Sequence, residues 1–382
     1  MIVATPAFLD ERDHLMSLAA GMEGVISLGL GDPDHATPPH IVGAAREALR
    51  AGRCDRYTDP AGLPELRRAI AAKLRRDNGF AADPETEITV TTGGQEGLYL
   101  LIQCLLDPGD EILVQDPRYS SYDLAIRRAG AVAVELPTCQ EEDFALDPAV
   151  VAARITPRTK AILLITPGNP TGGVIAPERL RAIADLAIRH DLLVIADEIY
   201  EKFVYDGAQH LSIAALPGMR GRTITLNGFS KTYAMTGWRL GYVVAPPVLT
   251  TAIRALKGIV SVCAPTPSQW AGVAALEGPQ DCVAGFRRTY DERRRAMMLA
   301  LTECGFTYGH PYGAFYIFAN TASTGLPAFE LSRRLLLEGK LLVFPGTGFG
   351  ENWKDYIRFT LLQPTPILLE ALDRLREVLR AR

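Results

Sequence analysis

From Ile88 onward, short apolar runs alternate with longer segments whose apolar residues recur at helical spacing. The runs Ile88–Thr92, Glu111–Gln115, Val132–Leu136, Ala161–Thr166, Leu192–Ala196, Thr223–Leu226 and Leu240–Val244 read as seven buried strands. Between most of them lie amphipathic helices, at Leu98–Leu106, Tyr122–Ala129 and Pro177–Arg189. Apolar runs without strict alternation, separated by helices, predict an α/β fold: a mainly parallel seven-stranded sheet with helices on both faces. The run at Leu240 follows its predecessor too closely for a helical crossover, so that strand is expected to run antiparallel.

The ends of the chain read differently. A short helical pattern, Leu9–Ala20, precedes the turn-rich loop Leu28-Gly-Leu-Gly-Asp-Pro-Asp34, and helices are expected over Ile41–Ala51 and Glu65–Arg76. After about residue 286 comes a long charged helix, Phe286–Cys304, then a helix Ala328–Glu338, short strands at Leu341–Phe344 and Tyr356–Thr360, and a final helix Pro366–Arg380. This pattern predicts a smaller α+β domain over 286–382, beside a large domain over 41–285. Residues 1–40 are expected to form a segment joining the small domain.

Composition narrows the possibilities. The 382 residues suffice for two domains, and 48% hydrophobic with 22% charged residues is ordinary for a globular protein. A formal charge of −4 gives no reason to expect a nucleic-acid or membrane-surface partner. Six cysteines without a C-x-x-C pair, and six histidines without metal-ligand spacing, predict neither a disulfide framework nor a metal site. No basic region followed by a long apolar stretch opens the chain, so a cytoplasmic location is expected.

The candidate chemistry centres on Lys231, which sits among small and apolar residues in Gly228-Phe-Ser-Lys-Thr-Tyr-Ala-Met-Thr-Gly-Trp-Arg-Leu-Gly241. An isolated lysine at a strand end usually only caps or solvates. Apolar surroundings, however, lower a lysine's pKa and make its amine a nucleophile toward an aldehyde, and Arg239 nearby could grip a phosphate. Aldehyde and phosphate together describe pyridoxal 5′-phosphate. Ligands in open α/β sheets bind at the carboxyl ends of strands, and more candidates lie there. Gly93-Gly-Gln95 opens a helix and offers free N–H groups to an anion. Asn169 follows a strand in Pro167-Gly-Asn-Pro-Thr-Gly172, and the same pattern reads as a plain turn. Asp197, at another strand end, serves either as a helix cap or as the partner of a protonated pyridine nitrogen. Tyr119 offers an aromatic face, or a core side chain.

Taken together and in order, these segments resemble the fold-type I, class I/II pyridoxal-phosphate-dependent aminotransferases, from about Ile26 to Phe359. The resemblance implies roles residue by residue. Lys231 would carry the cofactor as a Schiff base, Asp197 would hold the ring nitrogen, and Tyr200 and Asn169 would reach the phenolic oxygen. Gly94, Gln95 and Arg239 would cradle the phosphate, with Tyr57 arriving from the neighbouring subunit of a homodimer. Tyr119 would stack on the ring, while Gly31, Asn169 and Arg358 would face the substrate carboxylate. Gly313-Ala-Phe-Tyr316 and Phe344-Pro-Gly-Thr-Gly-Phe-Gly350 resemble segments that face the site.

There are departures from the family pattern. Gly228 stands where many relatives have a phosphate-binding serine, Gln95 is neutral where some have lysine, and Ile259–Trp270 has no arginine. The last two point away from a strong preference for aspartate. The reading is an aminotransferase that moves an amino group between an L-amino acid and a 2-oxo acid, by ping-pong exchange with Lys231, Asp197 and Tyr200 at its catalytic centre. A carbon–sulfur β-lyase built on the same cofactor residues, and a non-catalytic effector-binding domain, are the alternatives.

Overall fold

The computed structural model describes residues 7–380. Its strands are β1 (Ile26–Ser27), β2 (Ile88–Thr91), β3 (Glu111–Asp116), β4 (Val132–Pro137), β5 (Thr159–Ile165), β6 (Leu193–Asp197), β7 (Thr223–Gly228), β8 (Gly241–Val244), β9 (Thr307–Tyr308), β10 (Tyr316–Asn320), β11 (Leu341–Leu342), β12 (Phe344–Pro345) and β13 (Tyr356–Thr360). Seven of them form one sheet in the order β2-β8-β7-β6-β5-β3-β4. The pairs from β4 through β7 are parallel, whereas β8 runs antiparallel to both β7 and β2. All seven strands stand where the apolar runs predict them, the antiparallel one included.

The burial of these strands explains their unbroken apolar character. On β5, Ala161, Leu163 and Ile165 face one way and pack with Leu98, Leu101 and Ile102 of the helix Gly93–Leu105. Ile162 and Leu164 face the other way and pack with Leu180, Ile183 and Ala187 of the helix Pro177–Arg189. A strand covered on both faces has no polar side to display, and each large aliphatic so buried stabilises the fold by about 1.5–3 kcal/mol.

A second, antiparallel sheet, β12-β13-β10-β9, is packed by the helices Asp281–Glu303, Ala328–Gly339 and Thr365–Arg380. The N-terminal helix, Ala7–Ala20, joins this part of the molecule: Leu15 packs with Phe318, Leu336 and Phe344. Parallel pairing of β1 with β11 holds the following residues to it as well. Residues 1–6 of the expected N-terminal segment, and 381–382 of the expected small domain, lie outside the described residues. Residue 286, the expected boundary, falls inside the 23-residue helix Asp281–Glu303.

Several elements differ from expectation. The strand read over Leu341–Phe344 is two strands in different sheets, because β11 pairs with β1 while β12 pairs with β13. The helix expected to reach Arg76 stops being α-helical at Lys73 and continues as a wider π turn, Leu74–Asn78, closed by Gly79 at φ 75°. Helices Pro247–Val260 and Thr266–Glu277 also lie in a stretch where the sequence pattern predicts no element.

Candidate active site

A cavity of about 590 Å³ opens at the carboxyl ends of the parallel strands, where the chain leaves β3, β5, β6 and β7. Its wall includes Gly31, Gly94, Gln95, Tyr119, Asn169, Asp197, Tyr200, Lys231, Arg239 and Arg358. Every site residue proposed from the sequence is therefore brought to one place, with the exception of Tyr57. That side chain is 84% exposed and does not line the cavity of its own chain.

Lys231 follows β7, half-buried at the base of a tight loop in which Ala234 and Arg239 both take left-handed backbone angles, φ 51°. Such angles strain any residue with a Cβ and recur where a loop must aim its side chains. The Lys231 Nζ donates to the Gly31 carbonyl at 2.6 Å. Burial lowers its pKa from the ordinary 10.5 to about 8; Asp32 opposes the shift, and the positive charges of Arg358 and Arg239 reinforce it. About a tenth of this amine is consequently uncharged at pH 7, far more than for an ordinary lysine, and that is the form a nucleophile requires.

Asp197 ends β6 and is buried. Desolvation raises its carboxyl pKa to about 6, against hydrogen bonds from the Tyr122 hydroxyl at 2.5 Å and the Ile199 N–H at 3.1 Å. The cap reading is thus met by one oxygen, and the other carries a different contact. Oδ1 caps the turn, while Oδ2 is held by a tyrosine that the sequence did not single out. Tyr200, three residues on, shares a 2.8 Å hydrogen bond with the Tyr316 hydroxyl.

One end of the cavity is built from backbone and one guanidinium. Gly93 opens its helix at φ 73°, and a Cβ there would come within 2.5 Å of Arg239 Nη2, whereas a Cβ on Gly94 would meet open space. The free N–H groups of this helix end and Arg239 therefore share one anion pocket. Gln95 donates to the hydroxyls of Tyr119 (2.9 Å) and Ser121 (3.0 Å). Gly228 lies inside β7, where a Cβ would press on Gly241 and the Leu240 carbonyl. Ser230, next to the lysine in sequence, lines the cavity. Asn227 does so too, and its Nδ2 is buried without a partner.

Arg358 reaches in from β13, the strand between β12 and β10. Its Nη1 donates to Asn169 Oδ1 at 2.8 Å and its Nη2 to the Gly29 carbonyl. The rings of Tyr316 and Phe349 each lie 4.6 Å from its central carbon. Its Nε, buried, has no partner. A guanidinium beside two aromatic rings, with a donor still open, is suited to grip a carboxylate.

Arg12, on the N-terminal helix, also lines the cavity and was not read from the sequence. Its signal was positional: it falls three residues before the buried Leu15, on the stripe that continues through Met16 and Ala19. Beneath Asp197, Glu198 and Glu201 form a separate buried network with Lys73, Asn78 and His210.

The sequence model described as "Aminotransferase class I and II" matches residues 23–375. An aspartate aminotransferase of Pyrococcus abyssi is 43% identical over 97% of this chain and 95% of its own length. An aromatic-amino-acid aminotransferase 2 of Thermococcus litoralis is 41% identical over the same shares. The crystal structure of an aromatic aminotransferase from Pyrococcus horikoshii superposes with a TM-score of 0.92 at 41% identity, covering 97% of this chain and 99% of that one.

Proposed function

The chain belongs to the class I and II aminotransferases, which transfer an amino group between an amino acid and a 2-oxo acid, and from that premise we propose that it does so with pyridoxal 5′-phosphate. The observation that carries this reading is the sharing of one cavity by a half-buried amine of pKa about 8, a buried carboxylate, and two guanidiniums at its edges. The residues fit the group. The open Gly94 turn beside Arg239 suits a phosphate, Asp197 suits a ring nitrogen, and the unpartnered Asn227 Nδ2 is a donor that a polar group in the cavity would satisfy.

When bound, the cofactor supplies an electrophilic aldehyde and an electron-withdrawing ring. Lys231 would hold it through Nζ, and the same amine would take up and return the substrate's Cα proton. Asp197 would hold the ring nitrogen charged. Tyr200 and Asn169 would serve the phenolic oxygen, Tyr119 the ring face, and Gly94, Gln95 and Arg239 the phosphate. Arg358, Asn169 and Gly31 orient the substrate carboxylate.

We assign residues 41–285 to a large cofactor-binding domain and 286–382 to a small one, with 1–40 riding on the latter. The exposure of Tyr57 supports a homodimer in which this tyrosine completes the neighbour's phosphate site. No helix among the described residues is long and apolar enough to cross a membrane, and we place the protein in the cytoplasm.

The test is the visible spectrum of protein loaded with pyridoxal phosphate and titrated with single amino acids. Loss of the visible band with stoichiometric release of a 2-oxo acid is expected. No visible band at all would overturn the cofactor assignment. Catalytic release of pyruvate without an acceptor would point to the β-lyase instead.

A further inference from the structure

We infer that Asp116 is a positioning residue for Arg358: through Trp353 and Phe349 it holds the wall beside which that guanidinium meets a substrate carboxylate. The inference rests on the reading of Arg358 given above and adds a group that sets its position.

Asp116 ends β3 and is 1% exposed, yet it does not line the cavity. A buried carboxylate is costly unless its oxygens are matched, and here the partners come from the antiparallel layer. Trp353 Nε1 donates to Oδ1 at 2.9 Å, and Asn352 Nδ2 to Oδ2 at 3.4 Å. Arg118 Nη1 stands 3.6 Å from Oδ1, while its guanidinium also pairs with Asp123 and Glu135. The backbone N–H of the same Arg118 donates to the Phe349 carbonyl at 2.9 Å. The exit from β3 therefore grips the segment 346–353, between β12 and β13, at a side chain and again at the backbone.

That segment leads to the clamp. The Phe349 ring lies 4.6 Å from the central carbon of Arg358. Phe318 stands beside both aromatic members of the link, its ring centroid 6.0 Å from that of Phe349 and 5.6 Å from that of Trp353. Gly350 sits between the two grips at φ 151°, and a Cβ there would collide with Asp116 Oδ1. Only glycine allows the carboxylate so close. Arg358 also meets Asn169, in the loop after β5, and β5 is the neighbour of β3 in the large sheet. Two links between the same pair of sheets thus locate the guanidinium, one directly at Asn169 and one through the Phe349 wall at Asp116. Cutting the second loosens the wall without removing any group that touches the ligand.

The competing explanation is that Asp116 serves stability alone. Calorimetric binding of propionate to the cofactor-loaded enzyme, with KM and kcat for an amino-acid substrate, separates the two. Asp116→Ala should weaken propionate binding and raise KM by about 10-fold, with kcat changed by less than about threefold. Trp353→Phe keeps an aromatic ring and removes only the donor, and should weaken binding by about 3- to 10-fold. Asp116→Asn keeps an acceptor for Trp353 and should stay within about twofold of wild type. In an Arg358→Gln background, Asp116→Ala should add less than about twofold, because both changes act on one contact. A full Asp116→Ala effect in that background would overturn the inference. Unchanged propionate affinity in Trp353→Phe would overturn it too, even if Asp116→Ala does not fold. Unchanged propionate binding in Arg358→Gln alone would instead overturn the clamp reading, and the inference with it.

Discussion

Asn169 and Arg358, 189 residues apart in sequence, are hydrogen-bonded to each other at 2.8 Å, one in the loop that follows β5 of the large sheet and the other on β13. A guanidinium only donates, so the contact assigns Oδ1 of the amide as acceptor and turns Nδ2 outward as a donor. The bond pre-sets both groups before any ligand arrives. It also spans the two sheets, since a loop after β5 meets a strand of the antiparallel layer. Replacing Asn169 by aspartate would put a carboxylate on Arg358, occupying the clamp from within. In Asn169→Asp the KM for amino acids is expected to rise by about 10- to 100-fold, with a smaller change in kcat. Steady-state kinetics with a fixed acceptor measure this, and an unchanged KM would dissociate Arg358 from the α-carboxylate.

Asp197 sets function against stability. Its pKa of about 6 exceeds the ordinary 3.8, so between those values the cofactor-free fold holds a proton that the unfolded chain has released. Stability contributed by this group is therefore present at low pH and lost as pH rises through 4 to 6; the difference is on the order of 3 kcal/mol. Asp197→Asn should make the cofactor-free protein more stable at pH 7 by about 1–3 kcal/mol while slowing transamination at least about 100-fold. Urea denaturation and single-turnover rates on the same preparation test both halves.

Lys231 has the opposite linkage. Between pH 8 and the ordinary 10.5 the unfolded chain carries a proton that the folded, cofactor-free protein lacks, so this group's contribution to stability improves as pH rises across that window. Labelling of Lys231 by an amine-directed reagent, followed by peptide mass spectrometry, is expected to titrate with a midpoint near 8. A midpoint near 10.5 would show that the amine is not desolvated.

Behind the site, Lys73 and Glu201 form a buried ion pair, and Asn78 donates to Glu201 at 2.7 Å. Burial works against the Glu201 charge, but Lys73 and its neighbours outweigh it and hold the carboxyl at about 2. The stability this pair lends is present above the ordinary carboxylate pKa and lost as pH falls from 4.5 toward 2. Lys73→Met leaves an uncompensated buried charge and should cost about 3–5 kcal/mol at neutral pH, most of it recovered in the double variant with Glu201→Leu. Chemical denaturation of the single and double variants measures the coupling.

The seven strands of the large sheet were legible because buried parallel strands leave an unambiguous trace: apolar runs of strand length between amphipathic helices. Most of the candidate site residues were legible for a related reason. They lie at or just beyond a strand end or open a helix, and Lys231, Asp197 and Asn169 carry chemistry that few other positions need. The helix Thr266–Glu277 left no such trace, because Ser268, Gln269 and Gly272 are buried along with Ala271 and Leu276, and its faces do not separate by polarity. The split of Leu341–Phe344 between two sheets was equally silent, since both halves are buried and only their partners differ.

By itself, the sequence determined the α/β architecture, the antiparallel strand and the identity of the groups on the Lys231 side of the cavity, since local spacing encodes these. Only the tertiary structure decided which side chains meet across distance. The Tyr122 hydroxyl on Asp197, the tie from Asn169 to Arg358, and Arg12 within the cavity all depend on elements far apart in sequence. An arginine on a short N-terminal helix reads as a solvated charge until the helix is packed. Its meaning is set by what the fold places opposite it.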